Sequence, residues 1–372
     1  MFAELEDRTL NSPRVLMFSV RNIYYDRVFM SQTFEFEDIV RQIDSVAQVA
    51  PPRKKHFALR KRIALRIGKN FNIPLNPGTP RIIIDKHYDL FFAVCQFPSE
   101  LLMVNAVKGW KENCNTSICF LSEIWLKDMH DYKSSLKVLS DFDYVLTNCS
   151  QSVRRINEVI RGKCLYFPPG IDAILFCPYP EPPQRVIDVL SIGRRSEKTH
   201  KALLRMVKEN KMFYTYDTIN DYHVFNTEEH RQLLANKAKR SWYFIVNPGK
   251  IDNHDETGTQ SEFGFRYFEG AASGAIMIGE YPKNEEFKKI FSWPDAVVHV
   301  PYDSESVKQI INEMDQQHDR QEQVRRNNVV QSLLQHDWVY RWETILTLAG
   351  LQPMPELFER KKRLKELSSI VE

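Results

Sequence analysis

Short apolar runs of β-branched and aromatic residues recur through the first half of the chain, at 14–18, 81–84, 90–95, 117–121, 144–147 and 163–167. Longer amphipathic stretches separate them, among them 36–49, 99–108 and 150–160. Runs of that length predict strands buried on both faces, and the stretches between them carry helical periodicity. The alternation returns in the second half: a strand at 186–192, a helix from about 198 to 208, a strand at 242–247, a helix at 265–273, a strand at 275–279 and a helix from about 304. The pattern predicts an α/β chain with two doubly wound, Rossmann-like parallel-sheet domains facing each other across a cleft. Between the halves, Pro178, Pro180, Pro182 and Pro183 exclude helix and make a stiff connector. The expected division is therefore a domain over 1–177, a linker over 178–185, a domain over 186–350 and a C-terminal helix over 351–372. The basic piece 353–372 is expected to pack outside either core.

Composition narrows the class. With 372 residues, 43% hydrophobic and 27% charged, the chain is close to globular averages, which excludes disordered, collagen-like and coiled-coil proteins. No apolar run approaches the roughly 20 residues of a membrane-spanning helix. The start, MFAELEDRTLN, lacks the basic cap and apolar stretch of a secretory signal, so a cytoplasmic protein is expected. The 51 Lys and Arg against 48 Asp and Glu leave +3, too little to attract nucleic acid by bulk charge. Six cysteines stand at no metal-ligand or redox spacing and read as reduced thiols, and the ten histidines show no ligand-like pairing.

Three segments carry candidate chemistry: 166–178 (YFPPGIDAILFCP), 188–200 (DVLSIGRRSEKTH) and 261–274 (SEFGFRYFEGAASG). In that order and at those distances they resemble the group-1, family-4-like nucleotide-sugar glycosyltransferases of the GT-B fold, including their spore-maturation-type branch. The resemblance is clear over about 170–345 and holds in outline before that. It implies an N-terminal acceptor domain, a C-terminal nucleotide-sugar donor domain, and transfer of a hexosyl group from a UDP or GDP donor to a hydroxyl acceptor. Retention of configuration, no cofactor and no metal are implied as well, with polysaccharide or glycoconjugate biosynthesis as the setting.

The residue chemistry agrees. A departing pyrophosphate gathers negative charge, which fixed cations must meet. Arg194 and Lys198 are assigned to it as catalytic residues, with Gly193 and Arg195 beside them on the binding loop. The polar loop before residue 265 enters a helix with Phe265, Phe268 and Ala272 on one face and Arg266 and Glu269 on the other. Gly264, Phe265 and Arg266 at that helix start are expected to bind the phosphates, and Glu269 the ribose hydroxyls. The family spaces two glutamates by seven residues, whereas Glu262 and Glu269 have six between them, so Glu262 or Ser261 takes the donor-sugar position. Glu123, in FLSEIW, stands where relatives end a strand with histidine; it either orients the acceptor hydroxyl and steadies an oxocarbenium-like transition state or caps the junction. FSVRNIYYD replaces the family's Gly-rich loop after the first strand. Asp141-Phe142-Asp143 has the form of a metal-binding Asp-x-Asp but leads straight into an apolar run and reads as a strand-entry turn.

Residues 53–69 hold eight Lys or Arg and no acid, with Leu59, Ile63 and Ile67 on one helical stripe. Such a helix either buries the stripe on the sheet or lies on an anionic membrane surface, the latter making the protein peripheral at the inner face. Few aromatics are interleaved for stacking on nucleic acid bases. Two alternatives to glycosyl transfer stay open: an inactive GT-B scaffold that binds a membrane or partner, and a sugar-nucleotide epimerase.

Overall fold

The computed structural model describes residues 12–160, 163–210, 212–219 and 221–371. Ahead of the proline-rich segment lie β1 (Val15–Phe18), β2 (Val46–Val49), β3 (Ile82–Ile83), β4 (Tyr88–Cys95), β5 (Val107–Lys108), β6 (Cys114–Leu121), β7 (Tyr144–Thr147) and β8 (Lys163–Tyr166). β3 and β5 pair with each other, and the remaining strands form one parallel sheet in the order β2-β1-β4-β6-β7-β8. After the segment come β9 (Ile187–Ser191), β10 (Tyr214–Tyr216), β11 (Ser241–Val246), β12 (Ile276–Gly279) and β13 (Val298–His299), parallel in the order β10-β9-β11-β12-β13. Each order reverses beside the sheet's first strand, between β1 and β4 and between β9 and β11, the switch point at which open α/β sheets receive ligands.

The helices that matter here are α1 (Ser31–Ile43), α2 (Phe57–Phe71), α3 (Glu197–Asn210), α4 (Thr227–Lys239), α5 (Phe265–Ala272), α6 (Val307–Asp315), α7 (His318–Gln331), α8 (Trp338–Ala349) and α9 (Pro355–Val371). The stretch 36–49, expected to be helical throughout, stops at Ile43 and continues as β2. Asp44 is extended there because its carboxylate is held by Arg14 at 2.7 Å and by the Trp342 indole at 2.8 Å, and β1 supplies the ladder for Val46–Val49. Likewise the expected helix at 99–108 is cut short: a 3-10 turn at Pro98–Glu100 leads into a single α-helical turn at Leu101–Val104, and Val107 and Lys108 pair with β3. None of the described helices is long and apolar enough to cross a membrane.

The chain's end is part of the core, contrary to the expectation for 353–372. α9 buries Leu357, Leu364, Leu367 and Val371, and α8 returns to the first sheet. Trp338 stacks on Phe36 of α1 with ring centroids 4.5 Å apart, and Trp342 meets Phe92 of β4 edge-on at 5.5 Å. The PPGID element that follows β8 is built around this return. Arg341 donates to the carbonyls of Pro168 and Pro169, both at 3.0 Å, and Trp338 N donates to Ile171 O at 3.1 Å. Glycine is required in this element by close approach: a Cβ at Gly170 would stand 2.5 Å from Cε3 of Trp338.

Gly170→Ala must therefore push the indole off Phe36 or shift the backbone. We expect a loss of about 1–3 kcal/mol in urea unfolding, the usual cost of overpacking.

Candidate functional site

β9 ends at Ser191, and the turn into α3 passes through Gly193, whose φ of +85° suits glycine. The Gly193 amide donates to Asp217 Oδ2 at 2.6 Å, which ties this turn to the end of β10. Arg195 is tied the same way, donating to the Asp217 carbonyl at 2.6 Å with its guanidinium 5.1 Å from the Tyr216 ring centroid. Arg194 points elsewhere, to Asp252 at 3.1 Å, and Lys198 is exposed with no hydrogen bond among the described residues. Arg266 comes back to this turn: a Cβ on Gly193 would lie 3.8 Å from its Nη2. Space around Gly264, which precedes α5, is open. Gly193 and Arg266 thus adjoin at the carboxyl end of the second sheet.

The loop from Gly249 to Phe263 bridges the two halves. Lys250 adopts φ +53° and reaches Glu123 Oε1 and Glu256 Oε2, both at 2.6 Å. Burial would lower the Lys250 ammonium, but those carboxylates outweigh it and raise its pKa. Trp125 Nε1 donates to the same Glu123 oxygen at 2.7 Å. Farther along, Leu126 N donates to Gln260 Oε1 at 2.9 Å, and Gln260 donates to Ser152 and to Glu262 Oε1, each at 3.0 Å. Glu262 also accepts from Ser150 Oγ and from the Gln151 amide, both at 2.9 Å. Burial pushes the Glu262 carboxyl up, and these donors pull against it. Oε1 accepts from Gln151 and Gln260 and Oε2 from Ser150, so the carboxylate is tied to both the first half of the chain and its own loop.

A cavity of about 130 Å³ lies under this loop, at the carboxyl ends of β4, β6 and β7. Gln96, Ser122, Glu123 and Asn148 line it from the first sheet, and Glu262, Gly264 and Phe265 from the second half. Four residues singled out from the sequence, Glu123, Glu262, Gly264 and Phe265, therefore meet across the cleft. Lys250, Asn148 and Gln96 were missed. The NPG turn before Lys250 was a usable signal; Asn148 and Gln96 had none, since their place depends on strand order.

Glu269 differs from its expected role. Its carboxylate is fully buried and bonded by Arg231 and Arg266, with Gln32 donating to it at 3.3 Å. Burial alone would raise this carboxyl; the two guanidiniums overcome that and hold it at about 2. Arg231 continues to Glu35 of α1 at 2.7 Å, and Glu35 accepts from Trp338 Nε1 and from the Asp172 amide, both at 2.9 Å. Both oxygens of Glu269 serve this chain of charges, leaving none for a ribose. Asp143 accepts from the Ser117 amide and hydroxyl at 2.8 Å, and Asp141 pairs with Lys111 at 2.6 Å, so this pair serves strand packing. Among the described residues no three His, Cys, Asp or Glu side chains are grouped to hold a metal.

Residues 220–347 match the family described as glycosyl transferase-like. No curated protein matches the chain's sequence. Among solved structures, Anabaena HepE in complex with UDP and glucose matches with a TM-score of 0.51 at 12% identity, over 91% of this chain and 100% of that one. An α-glucosyltransferase in complex with UDP-glucose and abasic DNA matches with a TM-score of 0.51 at 11% identity, over 91% and 99%. These likenesses establish the fold, which is GT-B.

Removing one partner of a buried ion pair leaves the other uncompensated. Glu269→Gln should cost about 3–5 kcal/mol in urea unfolding. Because the folded carboxyl at about 2 lies below the ordinary 4.5, its stabilisation is complete above pH 4.5 and drains away as pH falls toward 2. The variant's melting temperature should accordingly fall less steeply than the wild type's across that interval.

Proposed function

We propose that the chain, whose residues 220–347 match a glycosyl transferase-like family and whose fold is GT-B, transfers a hexosyl group from a nucleoside-diphosphate sugar to a hydroxyl acceptor in the cleft between its sheets. What supports this reading most is the cavity in which Glu123 from the first sheet faces Glu262, Gly264 and Phe265 from the second half. The two structural relatives hold UDP with glucose or UDP-glucose, which makes a UDP-hexose our choice of donor. The first domain, 1–177, takes the acceptor; 186–350 takes the donor; 178–185 joins them and 351–372 closes the structure.

In this mechanism the pyrophosphate lies against the amino end of α5, where the amides at Phe265 and Arg266 and the helix dipole favour an anion. Arg194 and Lys198 meet the charge that grows as the sugar–phosphate bond breaks. Arg266 contributes from a fixed position, since Glu269, itself held by Arg231, anchors its guanidinium. Glu123 orients the acceptor hydroxyl. Metal-free transfer with retention is part of the proposal. A cavity of 130 Å³ is smaller than the roughly 300–1,000 Å³ of ligand pockets, so the bridging loop must lift to admit the donor and then close again over it.

α2 bears on location. Leu59 and Ile63 are 55% and 50% exposed and Phe71 70%, while Phe57, Ala64 and Gly68 make the buried side. The stripe is therefore not spent on the sheet. We assign it to the surface of an anionic bilayer, with Arg53, Lys54, Lys55, Arg60, Arg62, Arg66 and Lys69 around it. Lys61 is excluded from this face because its ammonium turns inward to the Tyr24 hydroxyl at 2.7 Å.

Arg194→Ala and Lys198→Ala should each lower UDP release from UDP-hexose by about 10²-fold, and wild-type release should persist in EDTA. Wild-type rates in both variants would refute the pyrophosphate assignment, and loss in EDTA restored by magnesium would refute metal-free transfer. In vesicle sedimentation the protein should partition to phosphatidylserine-containing but not neutral vesicles, less so as salt rises. Arg62→Glu with Arg66→Glu should reduce that partitioning by about 1 kcal/mol per residue; equal partitioning to both vesicle types would return α2 to a purely structural role.

A further inference from the structure

A second cavity, of about 370 Å³, opens on the other side of Glu123, Trp125 and Lys250, which it shares as a wall with the cleft cavity. Phe97 and Tyr132 add aromatic faces to it, and Asp128 a carboxylate. Several of its polar atoms are unclaimed. Among the described residues, the Asp128 carboxylate and the Tyr132 hydroxyl have no hydrogen-bonding partner, and Glu123 uses only Oε1, for Trp125 and Lys250. Lys69 takes Asp131 at 2.7 Å, and Lys250 is already divided between Glu123 and Glu256. Four carboxylates therefore face this space, and the two ammoniums that reach them, Lys69 and Lys250, are already paired. Burial raises the Asp128 carboxyl, and Asp128 in turn raises the Tyr132 phenol behind burial of its own ring.

That lining selects among acceptors. A phosphate or carboxylate entering would meet like charge with no free cation to offset it. Free carboxylate oxygens and a phenol suit a ligand rich in hydroxyl donors, and flat aromatic faces suit the C–H face of a pyranose ring. We propose that this cavity is the acceptor subsite and that the acceptor is an uncharged saccharide, its ring against Phe97 and its hydroxyls on Asp128 and Tyr132. Glu123 lines both cavities, so its carboxylate is placed to orient a hydroxyl of that saccharide toward the cleft. The inference rests on the glycosyltransferase reading and adds the class of acceptor.

The test uses the full-length protein on an array of neutral, uronic-acid-bearing and phosphorylated oligosaccharides and duplex DNA, with calorimetric UDP binding on the same preparation. Neutral oligosaccharides alone should be retained. Asp128→Asn and Tyr132→Phe should each weaken retention by about tenfold, the effect of one lost hydrogen bond, with melting temperatures confirming that both variants are folded. Preference for charged oligosaccharides or DNA, retention unaffected by either variant, or no retention by protein that binds UDP would overturn the inference. Retention of neutral oligosaccharides by protein that fails to bind UDP would support the cavity's ligand class and overturn the donor reading instead.

Discussion

A line of alternating buried charges, Glu35–Arg231–Glu269–Arg266, holds the two halves of this protein in register. It starts in α1 of the first sheet's layer, crosses α4 and ends at α5, beside the Gly193 turn. Each interior member has a neighbour of opposite charge on both sides, so none is left uncompensated away from water, which is the condition under which buried charge is tolerated. The termini of the line serve different ends. Glu35 anchors Trp338 and the Asp172 amide, which fixes the chain's return to the first sheet. Arg266, a quarter exposed, ends the line beside the Gly193 turn.

The same line explains why the interior glutamate of α5 cannot play the part expected for it. An open carboxylate binding ribose and a carboxylate clamped by two arginines are exclusive states of one side chain. Here the clamp holds, and it also fixes the guanidinium of Arg266. Glu262 shows the same commitment more weakly: its partners are neutral, Gln260 on its own loop and Ser150 and Gln151 on the first half of the chain.

Charge divides the surface as well. The exposed face of α2 is basic and apolar, whereas the cavity beyond Trp125 is acidic and aromatic. An anionic ligand suited to the first would be repelled by the second. The near-neutral total of +3 conceals this separation.

Strand and helix alternation was legible because fully buried parallel strands are continuous apolar runs, and it was enough to specify two parallel sheets and the carboxyl-end cleft between them. The cations of GRRSEK and the helix start at Gly264 were legible too, since local sequence alone determines a strand-to-helix turn and its exposed amides. What could not be read were properties of pairs far apart in the chain. Val46–Val49 is a strand because β1 lies beside it, Gly170 is needed because an indole 168 residues later presses on it, and Glu269 is closed because Arg231 and Gln32 arrive from other elements. Residue type and spacing determine which chemistry is on offer along each element; which oxygens remain free for a ligand is decided only by packing, because a buried carboxylate takes whichever donors the fold brings to it.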